Sequence, residues 1–338
     1  MNVIFKSFDG HYLDPAILER AFRGVQIDTC ISIANEESYL PKLDAKEHQW
    51  IPAGPLREGK YPDVHWPDIT PVDEELIERM RPAQAMFMTM IERYTKHGDI
   101  SYHERKRQYL MHVRYWNHML ETKKIDLVLF NHTPHQCYDY VLYDLCRLKK
   151  IPVFYLDFYN VVDGVQVAAN WEESGKETYE EYVRLREQYG EKEAIPLSED
   201  FEFFYKDYTE NKPIPAFMQT AEQHLQPTGF FQKWTGRGAD LLQRKPLDFF
   251  ASVFSVSVWI RKWQQHKISE FYFHDAVVPD LSKPYVYLPL HYQPEMSTSP
   301  MAGTFVNQEL IAELLAKHLP PGVSIYVKEH PAQGELFR

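Results

Sequence analysis

The sequence predicts an α/β fold in two halves, each carrying a parallel strand–helix–strand unit. Two stretches carry that expectation. Asp126–Phe130 is an apolar run, followed by the loop Asn131–Gln136, an amphipathic helix Tyr138–Lys150 and a second apolar run Pro152–Leu156. Near the other end, Tyr285–Leu290, a loop, a helix from about Phe305 to Leu319 and Val323–Val327 repeat the pattern. Strand, helix and strand within a few tens of residues imply parallel pairing through a right-handed crossover. Length adds to this, because 338 residues favour two domains over one.

The remaining elements follow in order. Val3–Phe5 reads as a first strand with Asp9-Gly10 turning after it. Asp14-Pro15 opens a short helix to Arg23, with aspartate as cap and proline at the first helical position. Asp28–Ile33 reads as a second strand. Ile51–Pro71 holds five prolines in polar surroundings and reads as a long loop. Asp73–His97 is helical with Pro82 placed to kink it, and Tyr102–Lys123 is a second long helix. In Tyr138–Lys150, Val141, Leu142, Leu145 and Leu148 form an apolar stripe. Ser174–Tyr189 is a charged amphipathic helix, and Gly190–Pro215 reads as an acidic loop or insertion. Phe249–Ile260 is apolar with interleaved serines and suits a buried helix, with strand as the alternative. In the last helix Val306, Leu310, Ile311, Leu314 and Leu315 share a face, and Pro320-Pro321-Gly322 stops it. No solenoid repeat or low-complexity tract interrupts this order.

Composition narrows the function classes. A net charge of −11 argues against general nucleic-acid binding, though not against a local basic site for an anionic substrate. Three cysteines, Cys30, Cys137 and Cys146, with no Cys-x-x-Cys pair, suit a reducing cytoplasm better than a disulfide scaffold. Met1–Phe8 lacks the apolar run of a signal peptide, and no stretch of about 18 apolar residues marks a membrane span. The aromatic share of 14% suits sugar-stacking walls and ordinary core alike.

The candidate chemistry sits in loops after strands, where open α/β sheets bind ligands. A His-Pro pair is expected about once by chance from 15 His and 23 Pro, so His330-Pro331 alone means little. Its place matters more. Lys328 and His330 follow an apolar strand, where both could reach a phosphate and stabilise charge on a leaving nucleotide. The loop His291–Pro300 contributes Gln293, Glu295, Thr298 and Ser299, whose polar groups suit a phosphate or a sugar carboxylate. It has neither G-x-G-x-x-G nor a Walker pattern, which leaves NAD and ATP readings without support. In the first half, the loop Asn131–Cys137 offers Asn131, His132 and His135. His132 or His135 could serve as general base on an acceptor hydroxyl. A metal reading of His132, His135 and Cys137 lacks a fourth ligand. Asp157 and Asp163 lie at and beyond the end of the next strand, as a base, a nucleophile or plain turn formers. A band from Phe230 through Trp234, Arg244 and Trp259 to Trp263 suits either a membrane interface or core aromatics with basic helix ends.

Tyr285–Glu295, Thr298-Ser299-Pro300 and Tyr326–Pro331, in that order and spacing, resemble bacterial capsular and surface polysaccharide biosynthesis proteins similar to Kdo-transferase and sialyltransferase-like enzymes. The resemblance covers residues 285–331 only. It implies a GT-B-like fold of two Rossmann-like domains facing a cleft: an acceptor-side domain over 1–275 with helical insertions, and the start of a donor domain over 276–338. It implies a glycosyltransferase that uses a nucleotide sugar, with a CMP-linked acidic sugar such as Kdo favoured. His330 would contact the cytidylate phosphate, with Lys328 as helper. Gln293, Glu295, Thr298 and Ser299 would line the donor pocket. Asn131, His135 and Asp163 would face the acceptor, and His132 or Asp157 would supply the base. The acceptor would be a glycan or lipid-linked glycan, met in the cytoplasm or peripherally at the inner membrane. No cofactor or metal is expected, since protein cations would take the leaving-group charge. The family continues well past its His-Pro loop, whereas this chain ends at Arg338, so a C-terminally truncated donor domain is the expectation. A teichoic-acid-type CDP-alditol phosphotransferase and a non-catalytic capsule-assembly partner are the alternatives.

Overall fold

A computed structural model describes residues 1–8, 16–37, 41–94, 100–159, 164–173, 175–190, 194–211 and 274–330, and the single positions 260, 263, 267, 270, 271 and 333. The chain forms two compact units. The first comprises 1–94, 100–211 and 294–301; the second comprises 95–99, 212–293 and 302–338.

In the first unit, β1 (Asn2–Lys6) lies at the centre of a six-stranded sheet with β2 (Ile27–Ala34), β3 (Ala45–Pro52), β4 (Leu127–Phe130), β5 (Val153–Tyr159) and β6 (Gly164–Ala168). The order is β3-β2-β1-β4-β5-β6. The first five strands are parallel, with Ile4 opposite both Ile31 and Val128, and β6 runs antiparallel to β5. A strand covered on both faces needs a continuous apolar run. Val3, Ile4 and Phe5 supply it, and all three are buried. Alternation sends Ile4 into a large core with Ile31, Ile33, Phe87, Tyr109, Trp116, Phe130 and Tyr138. Val3 and Phe5 enter a smaller one with Phe8, Leu18, Ile27 and Cys30.

Helices α4 (Arg81–Met90), α5 (Tyr102–Thr122) and α6 (Tyr138–Lys149) pack against one another. Ser101 caps α5 by accepting the Glu104 N–H. Asp73 caps α3 (Glu74–Arg79) by accepting the Leu76 N–H. Met80 ends α3 and begins α4, so the expected helix over 73–97 breaks where Pro82 enters the first turn. A short α1 (Ala16–Ala21) precedes β2.

Two segments expected to be loops contain regular structure. Residues 51–71 are not one loop: β3 reaches Pro52, α2 (Ala53–Arg57) follows, and a 3-10 turn spans Trp66–Asp68. β3 is an edge strand held by backbone pairing to β2 while Lys46, Glu47 and His48 stay exposed, so it lacks the apolar run that marks buried strands. The acidic stretch 190–215 contains α8 (Glu199–Glu210), capped by Ser198. Neither α8 nor α7 (Lys176–Tyr189) buries any residue.

The described part of the second unit has the strand–helix–strand unit expected near the C-terminal end. β7 (Tyr285–Pro289) pairs in parallel with β8 (Ser324–Lys328), Tyr287 opposite Tyr326, and α9 (Glu309–His318) lies between them in sequence. The apolar face of α9 is half-buried at best, and Leu314 is exposed. The readings on Asp9-Gly10, Asp14-Pro15, Asp163, Pro331 and the band from Phe230 to Lys262 lie outside the described residues. Trp263 is described and exposed.

Candidate functional site

Strand order fixes where the first unit can bind. The chain runs outward from β1 to β2 and β3, then returns to place β4 on the other side of β1. The C-terminal ends of β1 and β4 therefore flank a topological switch point, the crevice where open α/β sheets take ligands. Lys6 ends β1 and Asn131 follows β4; the Asn131 N–H donates to the Lys6 carbonyl at 3.1 Å. Ser7 (φ 62°) and Cys137 (φ 63°) turn the chain out of β1 and into α6 in a backbone region uncommon for non-glycine residues.

A buried ion pair anchors this crevice. Lys6 Nζ lies 3.0 Å from Asp139 Oδ2, and neither side chain is exposed. Asp139 stands in the first turn of α6, where the helix dipole favours its charge, and its Oδ1 accepts the Gln136 N–H at 2.6 Å. The ammonium also donates to His132 Nε2 at 2.9 Å. That contact makes Nδ1 the protonated nitrogen of His132, and it donates to the Thr133 carbonyl at 2.9 Å. Burial, with Lys6 beside it, holds His132 well below the usual imidazole range.

His135 is built differently. Its Nδ1–H donates to the same Thr133 carbonyl at 2.8 Å, which turns the Nε2 lone pair away from the backbone. Nε2 lies 3.5 Å from Glu295 Oε1. Glu295 Oε2 in turn holds Arg93 Nη2 at 2.6 Å. Burial lowers the pKa of His135, against the opposing pull of Asp139 and Glu295. The two imidazole rings are 4.7 Å apart. Arg57 reaches the loop from α2, donating through Nε to Gln136 Oε1 at 3.0 Å and through Nη2 to Asn35 Oδ1 at 3.2 Å. Several polar atoms here are buried without a hydrogen-bond partner among the described residues: both carboxamide atoms of Asn131, Thr133 Oγ1, Arg93 Nη1 and Ser299 Oγ.

In the second unit three glutamines tie the loops that follow β7 and β8. Gln308 receives the His291 N–H at 2.7 Å and donates to the His291 carbonyl and to Gln293 Oε1. Gln333 receives the Gln293 N–H at 2.8 Å and donates to the Gln293 carbonyl at 3.0 Å. The His330 ring packs 5.7 Å from Tyr292. Burial and the neighbouring His291 lower its pKa. Lys328 ends β8 with an exposed side chain.

The candidate residues thus fall into two groups. Asn131, His132, His135 and Glu295 meet in the first unit, with Thr298 and Ser299 buried in the same segment as Glu295; Thr298 Oγ1 receives the Glu295 N–H at 3.0 Å. Gln293, Lys328 and His330 belong to the second unit. Asp157 pairs opposite Gln166 within β5–β6, one strand removed from the switch point; its side chain lies outside the described residues, as does all of Asp163. Lys6, Arg57, Arg93 and Asp139 were not among the expected residues. Lys6 was findable by the strand-end rule, since it directly follows Val-Ile-Phe. Asp139 was findable as an acid in a helix's first turn. Nothing local marks Arg93 or Arg57. Among the described residues no group of three or more His, Cys, Asp or Glu side chains could hold a metal ion. No helix among them is long and apolar enough to cross a membrane. No protein-family model, curated protein or solved structure matches this chain.

Proposed function

We propose that this protein is a glycosyltransferase of capsular or surface polysaccharide assembly. In this reading the fold is GT-B-like, the first unit activates an acceptor hydroxyl, and the loops after β7 and β8 hold a nucleotide-sugar donor, with a CMP-linked acidic sugar favoured. The observation that carries it is His135 at the β1/β4 switch point. Its Nδ1–H is tied to a backbone carbonyl, and its Nε2 lies 3.5 Å from a carboxylate. An imidazole so oriented is a general base whose protonated form the neighbouring carboxylate stabilises. His135 is the better base of the pair, because the Nε2 lone pair of His132 already accepts from Lys6.

The reaction balances as follows. Nε2 of His135 takes the acceptor O–H proton while that oxygen attacks the anomeric carbon. The bond from that carbon to the phosphate oxygen breaks, and the electron pair leaves with CMP. Lys328 and His330 supply hydrogen bonds and charge to the leaving phosphate. The acceptor is a glycan or lipid-linked glycan. This role needs neither metal nor further cofactor.

The test is incubation of the purified chain with CMP-linked acidic sugars and glycan acceptors, reading CMP release and product mass. His135→Gln should lower kcat by about 100- to 10,000-fold and leave CMP binding unchanged. His330→Ala should weaken CMP binding. Alditol-phosphate in the product would replace this reading with a phosphotransferase. No thermal shift with CMP, UDP or GDP, together with no product, would leave a non-catalytic assembly partner.

A further inference from the structure

We infer that the switch-point crevice of the first unit recognises its ligand through a single oxyanion, a carboxylate or a phosphate carried on a hydroxylated sugar. This rests on the acceptor-side reading above and adds the acceptor's chemical class.

Charge balance is the first observation. The permanently charged side chains that face one another here are Lys6, Arg57 and Arg93 against Asp139 and Glu295, and burial lowers the pKa of both neighbouring histidines. Three positive charges face two negative ones. A half-buried excess charge favours an anion of matching size. The second observation is the unused hydrogen-bonding capacity. Arg93 spends Nη2 on Glu295, while its Nη1 is buried with no hydrogen-bond partner among the described residues. The Asn131 side chain is wholly buried with neither its amide nor its oxygen engaged, and Thr133 Oγ1 is equally buried and unengaged. Leaving such groups unpaired costs about 1–3 kcal/mol each, so a ligand that pairs them gains what the free protein forgoes. Third, the protein already places one carboxylate, Glu295, between Arg93 and His135, which sets out the cradle's preference for that group. A second oxyanion on Arg93 Nη1 and the Asn131 amide, with ligand hydroxyls on the Asn131 oxygen, Thr133 and His135, uses every unpaired group just named.

The test is titration calorimetry of the full chain with three probes: glucuronate, glucose 6-phosphate and neutral glucose. Saturable binding of either anionic sugar, at least tenfold tighter than glucose, is the expected result. Whichever anion binds tighter identifies carboxylate or phosphate as the source. Arg93→Gln should weaken that anion at least tenfold and leave glucose unchanged. Asn131→Asp, which keeps the shape and adds a negative charge, should also weaken that anion at least tenfold, with circular dichroism confirming that both variants fold. Equal binding of glucose and the anions, or no binding by any probe, overturns the proposal, as does wild-type affinity in both variants. Transfer to a neutral acceptor without anion binding would sink this inference and keep the glycosyltransferase. Anion binding without nucleotide-dependent transfer would do the reverse.

Discussion

At the scale of single residues, burial decides which protons are held. Asp144 on α6 is pushed up to about 6 by burial, with Glu172 adding to the effect and Arg147 opposing it. In the unfolded chain it titrates near 3.8. The folded state therefore binds the proton more tightly, and the stability this contributes is complete below pH 3.8 and is lost as pH rises through about 6. At pH 7 the ionised, half-buried carboxylate is a liability. Asp144→Asn should raise stability at pH 7 by on the order of 2 kcal/mol and change little at pH 3.5, as read by urea denaturation at both pH values. An equal effect at the two pH values would assign the change to packing instead. His112 has the opposite sign. Wholly buried and hydrogen-bonded to the Tyr61 hydroxyl, it is held down to about 3, so its contribution is full above pH 6.5 and is lost as pH falls from there toward 3.

At the scale of elements, caps and prolines did what their chemistry allows. Ser101 opens α5 and Asp73 opens α3, each closing one orphan N–H of the first turn. Ser101→Ala should cost about 1 kcal/mol, visible as a lower urea midpoint with unchanged slope, while Ser101→Gly should cost only a few tenths. The buried strands were legible because Val-Ile-Phe and Leu-Val-Leu-Phe are apolar on both faces. β3 and β6 were not, because an edge strand is secured by backbone pairing to one neighbour and exposes its outer side chains. α8 was hidden by its charge: Glu199, Asp200 and Glu202 read as loop, yet near a helix N-terminus they favour the helix.

At the scale of the whole molecule, one buried pair joins the end of β1 to the start of α6, the helix that follows β4. Lys6 and Asp139 are far apart in the chain and adjacent in space because β4 returns beside β1. Removing one partner of such a pair leaves a charge in low dielectric, at about 3–5 kcal/mol. Asp139→Asn should lose that much, whereas a Lys6→Met, Asp139→Leu double variant should recover most of it. A single variant as stable as the parent would show that Lys6 is not buried against Asp139 in solution.

The sequence by itself determined the α/β class, the central strands, both strand–helix–strand units and the loops in which chemistry could sit. Those follow from apolar runs, helical period and capping residues, all of which act within a few turns of chain. The tertiary structure decided that β1 and β4 are neighbours, and with that the meeting of Lys6, Asp139, His132 and His135. It also decided that Glu295 reaches Arg93 and His135. Such meetings depend on strand order and register between segments more than a hundred residues apart, and no local pattern encodes them.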